Sequence, residues 1–291
     1  YFFKLKCRSV HFIARERNFE IDMDGFDAAM QSQRTRARKA NKFSHSDDLS
    51  IKVQTASSFV GYEYSKDNAE IKELFFEGKT TTSLAKNQHG ILITDNTPFY
   101  AESGGQVGDI GQIESKDGSF RVTDTQKQAK TTIHHGFMEV GELKISDNVV
   151  MKIDHERRSN IAANHSATHL MHAALRNVLG DQVTQKGSLV DENRLRFDFS
   201  YNKPLSKSDL FDIEVQVNNE IRKNYVSKTT LMPYDNAIKA GAMALFGEKY
   251  EAEVRVLDFD GYSIELCGGT HVKRTGDIGV FKITNESGVA S

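Results

Sequence analysis

Two histidines stand four residues apart in the run His165-Ser166-Ala167-Thr168-His169. On a helix that spacing puts both imidazoles on one face, one turn apart, within reach of a single metal ion. Far along the chain, Cys267-Gly268-Gly269-Thr270-His271 offers a thiolate and a third imidazole across a glycine turn. Glycine there lets the backbone fold back so that both side chains converge. Three nitrogens and one sulfur are a donor set matched to Zn2+. Either half alone carries little weight, but together they predict a zinc site of His165, His169, Cys267 and His271. The plain alternative is a helix with two surface histidines and a buried structural cysteine. His172, three residues after His169, is placed to substitute as a ligand, although packing or a supporting hydrogen bond is its better reading. A zinc peptidase does not fit. That signature, His-Glu-x-x-His, needs a glutamate general base beside its first histidine, and Ser166 stands there.

The elements that must carry these residues form an α+β pattern. Asp154 can cap a long helix over 155–179 that ends at Gly180 and bears the histidine pair. A strand over 195–199 follows, then a helix from 206 to about 223 opened by the capping pattern Ser206-x-x-Asp209. Extended chain over 229–232, a short helix over 237–245, a strand over 253–259 and a hairpin-like stretch over 262–266 lead into Cys267. Upstream, from about 49 to 154, the texture is β, with strand candidates at 59–62, 71–76, 90–94, 120–122 and 149–153. Lys116-Asp117-Gly118 favours a tight hairpin turn, and many short strands at this spacing point to a small barrel. The first segment reads as a helix over 24–42, with Phe26, Met30 and Ala37 on one face and a basic second half, followed by a linker over 44–48. That basic cluster is more often a solvated helix end than an RNA contact.

At 291 residues the chain has room for two domains and part of a third. A hydrophobic fraction of 38% and a charged fraction of 27% are those of a soluble globular protein. No apolar run approaches the roughly 18 to 20 residues that span a bilayer, and the N-terminus lacks a signal-peptide pattern. A soluble cytoplasmic protein with no membrane partner is the expectation. The only cysteines, Cys7 and Cys267, make no disulfide framework and suit a reducing compartment where a thiol can ligate metal. A net charge of −2 argues against nonspecific nucleic-acid binding through a large basic surface, yet leaves RNA recognised by shape or by its end. Both ends read as cut, as in a fragment of something longer. Self-association is left open.

The residues also carry a resemblance. The two metal motifs, together with Gln185-Lys186-Gly187-Ser188 and Leu195-Arg196-Phe197-Asp198-Phe199, stand in an order and context that resembles alanyl-tRNA synthetase editing domains. Tyr100-Ala101-Glu102-Ser103-Gly104-Gly105-Gln106, followed by Gly108-Asp109-Ile110-Gly111, resembles that family's glycine-rich barrel motif. Residues 25–34 resemble the last helix of its tRNA-recognition domain, and the likeness runs from about 12 to 291. The resemblance implies a helical part of the tRNA-recognition domain over 1–46, a β-barrel over 47–154 and a zinc-dependent editing domain over 155–291. It implies that His165, His169, Cys267 and His271 are the metal ligands. It also implies a deacylase, within an alanine-tRNA ligase, that hydrolyses the ester of alanine tRNA mischarged with serine, or with glycine. Class II aminoacylation motifs are not seen, so the chain should unmake aminoacyl-tRNA and not make it.

Ester hydrolysis needs an activated water, and zinc can lower the water's pKa or polarise the carbonyl. Four protein ligands, however, complete a tetrahedral shell of the structural kind. Either one ligand is loosely held, the shell expands, or zinc organises the pocket and the substrate's amino group. A site that hydrogen-bonds the serine hydroxyl disfavours alanine, because buried polar groups would stay unpaired. Thr168 and Gln185, the latter in the loop after the long helix, are the side chains assigned to it; their plain readings are helix packing and an exposed amide. Gly104, Gly105 and Gln106 would cradle the RNA end or form a tight turn that packs barrel against editing domain. Arg196 would meet a phosphate or pair with Asp198. The rival readings are a free-standing trans-editing alanyl-tRNA deacylase, a threonyl-type editing domain (disfavoured by the barrel motif) and a non-catalytic zinc-stabilised tRNA-binding module.

Overall fold

The computed structural model describes residues 51–244 and 250–288. The helix expected over 24–42 and the helical part expected over 1–46 lie outside the described residues. Ten strands come first: β1 (Ser58–Phe59), β2 (Lys66–Phe76), β3 (Lys79–Thr81), β4 (Ser83–Ala85), β5 (His89–Thr94), β6 (Asn96–Thr97), β7 (Gly111–Glu114), β8 (Gly118–Gln128), β9 (Thr131–Lys144) and β10 (Asn148–Ile153). Six of them close into an antiparallel barrel, β2-β5-β9-β8-β7-β10 and back to β2. β3 and β4 extend it beside β2 and β9, and β1 pairs with β6 in parallel. Closure leaves none of the six with a free edge in the barrel wall.

Period-two burial fills the interior. Val149, Met151 and Ile153 alternate inward along β10, and Phe120 and Val122 along β8. Ile71 and Leu74 both point inward although three residues apart, because the register slips between Ile71 and Glu73. The hairpin read at Lys116-Asp117-Gly118 joins β7 to β8, with the Ser115 amide donating to the Gly118 carbonyl at 2.9 Å. The strand expected over 59–62 stops at Phe59, because the chain turns at 60–64 with the Tyr64 amide on the Val60 carbonyl.

Helix α1 (His155–Leu179) follows directly on β10. Asp154 caps it by accepting from the Arg157 amide at 3.0 Å, and Gly180 ends it at φ 103°. Every residue from His165 to Leu175 is buried, so this helix runs through the interior and not along a surface. Around it lie β11 (Thr184–Val190) paired with β12 (Leu195–Ser200), and helix α2 (Lys207–Lys223) with the expected Ser206–Asp209 capping box. The antiparallel trio β13 (Lys228–Pro233), β14 (Glu253–Asp258) and β15 (Ile264–Leu266) completes the α+β half, with β14 in the middle. Leu170, Ala174 and Leu175 of α1 meet Ile213, Val217 and Ile221 of α2 and Leu257 and Phe259 in one apolar core. The short helix expected over 237–245 is α3 (Tyr234–Lys239), which starts earlier, after Pro233, and yields at Gly241 to a left-handed turn. Gln185, expected in a loop, sits in β11. No helix among the described residues is long and apolar enough to cross a membrane.

A buried ion pair joins α1 to the barrel. The Arg158 Nε donates to both carboxylate oxygens of Asp109 at 3.0 Å, and Nη2 closes on Oδ2. Two further guanidinium protons go to the carbonyls of Gly61 (2.7 Å) and Pro98 (3.0 Å), while Asp109 also accepts from the Tyr100 amide at 2.7 Å. Removing one partner leaves a charge stranded in the interior. Arg158→Met is therefore expected to lower the unfolding free energy by about 3–5 kcal/mol. The double change Arg158→Met with Asp109→Asn should recover part of that loss; urea denaturation of both variants checks it, and equal stabilities would argue against a stranded charge.

His134 lies in the barrel wall with no exposed surface. Its Nδ1 donates to the Leu92 carbonyl at 2.9 Å, and its Nε2 accepts from the Thr97 hydroxyl at 2.8 Å, so the neutral ring satisfies both partners. Burial holds its pKa down at about 4 against an ordinary 6.5. The folded-state value is depressed, so this stability is complete above pH 6.5 and is lost as pH falls toward 4. The loss amounts to about 3 kcal/mol. A His134→Gln variant should show a flatter stability profile between pH 6.5 and 4 in urea melts; an unchanged profile would remove His134 as its source.

Candidate metal centre

The stripe of α1 that carries Arg158 continues to His165, His169 and His172, at spacings of seven, four and three residues. After β15 the chain returns across the face of this helix as the turn at 267–271. Gly269 permits the approach, since a Cβ there would lie 2.1 Å from the Cε1 of His165. Ser166, which occupies the place of a peptidase glutamate, ties the two segments: its hydroxyl donates to the Ala162 carbonyl at 2.8 Å and accepts from the Val272 amide at 3.0 Å.

The structure brings His165, His169, Cys267 and His271 together, with their ligand atoms all within 4.8 Å of one another. Cys267 Sγ lies 3.5 Å from His165 Nε2 and 3.4 Å from His271 Nε2, and the Nε2 atoms of His271 and His169 are 3.3 Å apart. A tetrahedral ion with bonds of about 2.0–2.1 Å to nitrogen and about 2.3 Å to sulfur would give edges of roughly 3.3 Å and 3.6 Å. The donors fit such an ion, and the cluster can hold a metal.

Two of the imidazoles are oriented from behind. His165 Nδ1 donates to Gln106 Oε1 at 2.7 Å, and His169 Nδ1 donates to Glu265 Oε2 at 2.9 Å, so each ring turns its Nε2 toward the cluster. Gln106 is itself fixed: Oε1 also accepts from the Thr270 amide at 2.9 Å, and Nε2 donates to Thr270 Oγ1 at 2.9 Å. Glu265 takes His172 Nδ1 at 3.2 Å on its other oxygen and the Ser263 hydroxyl at 3.2 Å. His172 is thus a neighbour of the site through Glu265, and its Nε2 is buried with no hydrogen-bond partner among the described residues, as is His271 Nδ1.

Charge follows from this packing. Burial alone would push Glu265 up, but the imidazoles of His169 and His172 outweigh it and hold the carboxyl at about 2. Burial works against a charged His169, yet the Glu265 carboxylate and the Cys267 thiolate carry its pKa up to about 10. The Cys267 thiol is held well below its usual value, since His165, His271 and His169 together overcome its burial. Burial takes His271 down to about 3. A thiolate facing an imidazolium is a cluster that a divalent cation can enter by displacing a proton.

The other expected residues take varied places. Gln106 is fully buried behind His165. Gly105, at φ 83°, packs where a Cβ would lie 2.5 Å from the Ser188 carbonyl, and its own carbonyl accepts from the Val190 amide at 2.8 Å. Residues 102–106 therefore form a tight turn that seats the barrel on β11, with Gly104 exposed at its tip. Thr168 is buried beside His169 and donates to the Asn164 carbonyl at 2.9 Å. Gln185 pairs opposite Phe199 beside a bulge. Arg196 stands apart from the cluster on the exposed face of β12, paired with Asp198 at 3.1 Å. Sequence reasoning passed over Glu265, whose signal was an acid inside the short strand Ile264-Glu265-Leu266, two residues before a ligand.

Glu265→Gln keeps the shape of this support and removes its charge. Metal affinity of the chain is expected to fall about 10- to 100-fold, read by competition with a chromophoric chelator. An unchanged dissociation constant would show that Glu265 serves packing alone.

Comparison with known proteins accords with this construction. Residues 5–157 match the family described as tRNA synthetases class II (A), and residues 254–291 match the "Threonyl and Alanyl tRNA synthetase second additional domain". An alanine–tRNA ligase from Idiomarina loihiensis is 50% identical over 279 residues, which is 96% of this chain and 32% of that protein. The chain thus spans about a third of the length of the curated relative it matches. With a family match over more than half of its residues, the chain belongs to the class II (A) tRNA synthetases.

Proposed function

We propose that this chain hydrolyses the ester between serine and the terminal ribose of alanine tRNA, and that of glycine by the same route, as the editing part of an alanine–tRNA ligase acting in the cytoplasm. In this reading residues 47–154 are the barrel and 155–291 the editing domain, with His165, His169, Cys267 and His271 holding Zn2+. The observation that carries it is the convergence of three histidines and one cysteine within 4.8 Å, with three of the edges at 3.3–3.5 Å as a tetrahedral ion needs. It stands in a chain whose last residues match a domain named for threonyl and alanyl synthetases. Bound there, Zn2+ supplies Lewis acidity and a fixed positive charge beside the substrate's carbonyl or amino group.

The chain's own residues set the rest. Gln106 and Glu265 hold the imidazoles of His165 and His169 so that the cluster does not have to reorganise when substrate arrives. Cys267 is one of the four converging donors, so water is the attacking group. Its oxygen bonds to the ester carbonyl carbon, the bond from that carbon to the ribose oxygen breaks, and the ribose oxygen leaves with a proton as a hydroxyl. Thr168 has its hydroxyl hydrogen committed to the Asn164 carbonyl, so its oxygen is left to accept. An acceptor beside His169 suits the seryl hydroxyl, which alanine lacks. The Gln185 amide is the second polar group assigned to that hydroxyl.

Incubation of the purified chain with serine-charged and alanine-charged alanine tRNA, with and without a chelator, tests the reading. Selective release of serine that the chelator slows is the expected result. Thr168→Val should reduce kcat/KM for the serine ester about tenfold to a hundredfold and leave zinc content unchanged. Equal release of serine and alanine would sink the editing assignment. The four-donor set also fits a metal that only stabilises a tRNA-binding module. Binding of tRNA with no release of either amino acid would decide for that second reading.

A further inference from the structure

Three consecutive carbonyls of the metal-bearing turn are gripped from outside. Arg255, in the middle strand β14, donates from Nη1 to the Cys267 carbonyl at 3.3 Å and to the Gly269 carbonyl at 2.9 Å. The carbonyl between them, on Gly268, accepts from the Tyr62 hydroxyl at 2.5 Å. The two gripping side chains are stacked on each other, with the Arg255 guanidinium carbon 4.0 Å from the centre of the Tyr62 ring. Phe59 meets the Tyr62 ring edge-on at 4.9 Å and so limits its movement. The main chain of Arg255 joins in, its carbonyl accepting from the Cys267 amide at 3.0 Å.

Tyr62 lies in the turn between β1 and β2, on the segment that leads into the barrel, and its neighbour Gly61 is the residue whose carbonyl takes Arg158 Nη1 at 2.7 Å. One two-residue stretch of the turn between β1 and β2 therefore touches both ligand-bearing segments. Gly61 holds α1, which carries His165 and His169. Tyr62 holds the turn that carries Cys267 and His271. Tyr62 is 46% exposed and lies outside the apolar cores.

We propose that Tyr62 and Arg255 are positioning residues for the metal centre, and that the turn Gly61-Tyr62 between β1 and β2 sets the register between the helix and the turn that supply its ligands. The inference rests on the reading that the cluster binds a metal, and it is independent of which ester the protein hydrolyses. Carbonyls fixed in this way leave the turn little freedom, so the thiolate of Cys267 and the imidazole of His271 are presented before any ion arrives. Losing that order raises the dissociation constant of the metal without altering the donor set.

The test uses Co2+ alone, added to the metal-free full chain. Its visible absorption reports coordination geometry, and titration gives affinity. Tyr62→Phe keeps the ring beneath Arg255 and removes only the hydroxyl. It is expected to weaken Co2+ binding about two- to tenfold and to shift or weaken the visible bands. Arg255→Lys, which keeps the charge but loses the planar fork, should weaken binding about tenfold or more. Arg255→Met should do no better than Lys. Urea midpoints of the metal-free variants are measured alongside, and Tyr62→Phe carries the test by itself if an Arg255 variant fails to fold. Tyr62→Phe with wild-type affinity and spectrum would overturn the inference while leaving the metal reading intact. A wild-type chain that takes up no Co2+ would overturn both. Loss of ester hydrolysis has no bearing on either, so failure of the editing reading is distinguished from failure here.

Discussion

Burying a guanidinium and a carboxylate costs several kcal/mol per ion unless nearly every polar atom finds a partner. Arg158 and Asp109 meet that condition through each other, two barrel carbonyls and a barrel amide. The requirement is strict in direction as well as energy. A planar fork held at Nε, Nη1 and Nη2 constrains the placement of helix α1 against the barrel, both along its axis and about it. His165 follows two turns later, about 10 Å further on and on the same side. His169 and His172 continue that side. The position of the metal cluster relative to the barrel is thus set at the start of the helix, well before any ligand residue is reached.

From that placement the cluster gathers support out of elements that do not neighbour one another in sequence. Gln106 comes from the tight turn that seats the barrel on β11, Glu265 from β15, Ser166 from the helix itself. Each links a helix residue to the returning turn or to the strand that leads into it. The negative charge of Glu265 lies behind His169, and the thiolate of Cys267 lies in front of it. An imidazole held between two anions is stabilised as a cation when no ion is bound, and it becomes a strongly basic ligand when one is. The same arrangement explains why a carboxylate with almost no exposed surface persists in this core.

Helix α1 was legible almost residue for residue, because Asp154 and Gly180 are local capping signals whose meaning does not depend on the rest of the fold. The same holds for α2 and its capping box. The four donors were legible because spacing on a helix and a glycine turn translate directly into convergence. β9 was not, although it is the longest strand: histidines and glycines interrupt its apolar alternation, and its partners on both sides supply what its own pattern lacks. Gln185 read as loop for a similar reason, since β11 carries little apolar signal and takes its order from β12. The support that Gln106 and Glu265 give the histidines was not legible, for another reason. A glutamine among glycines and a glutamate in a hairpin look like surface residues until the histidines they serve are in place. Arg196 pairs with Asp198 on the exposed face of β12, one of the two partners its sequence context offered.

The support of the cluster is uneven, and the unevenness is informative. His165 and His169 are each held by a rigid helix and by a hydrogen bond to the far ring nitrogen. His271 has neither: it sits on a turn, and its Nδ1 is buried with no partner among the described residues. A ligand without an oriented ring depends on its backbone for placement. That backbone is the turn whose carbonyls at 267, 268 and 269 are taken by Arg255 and Tyr62. The grip on the main chain stands where the side chain lacks a second hydrogen bond. It supplies to Cys267 and His271 the order that Gln106 and Glu265 supply to the two helical histidines, so the turn between β1 and β2 touches both segments that carry the ligands.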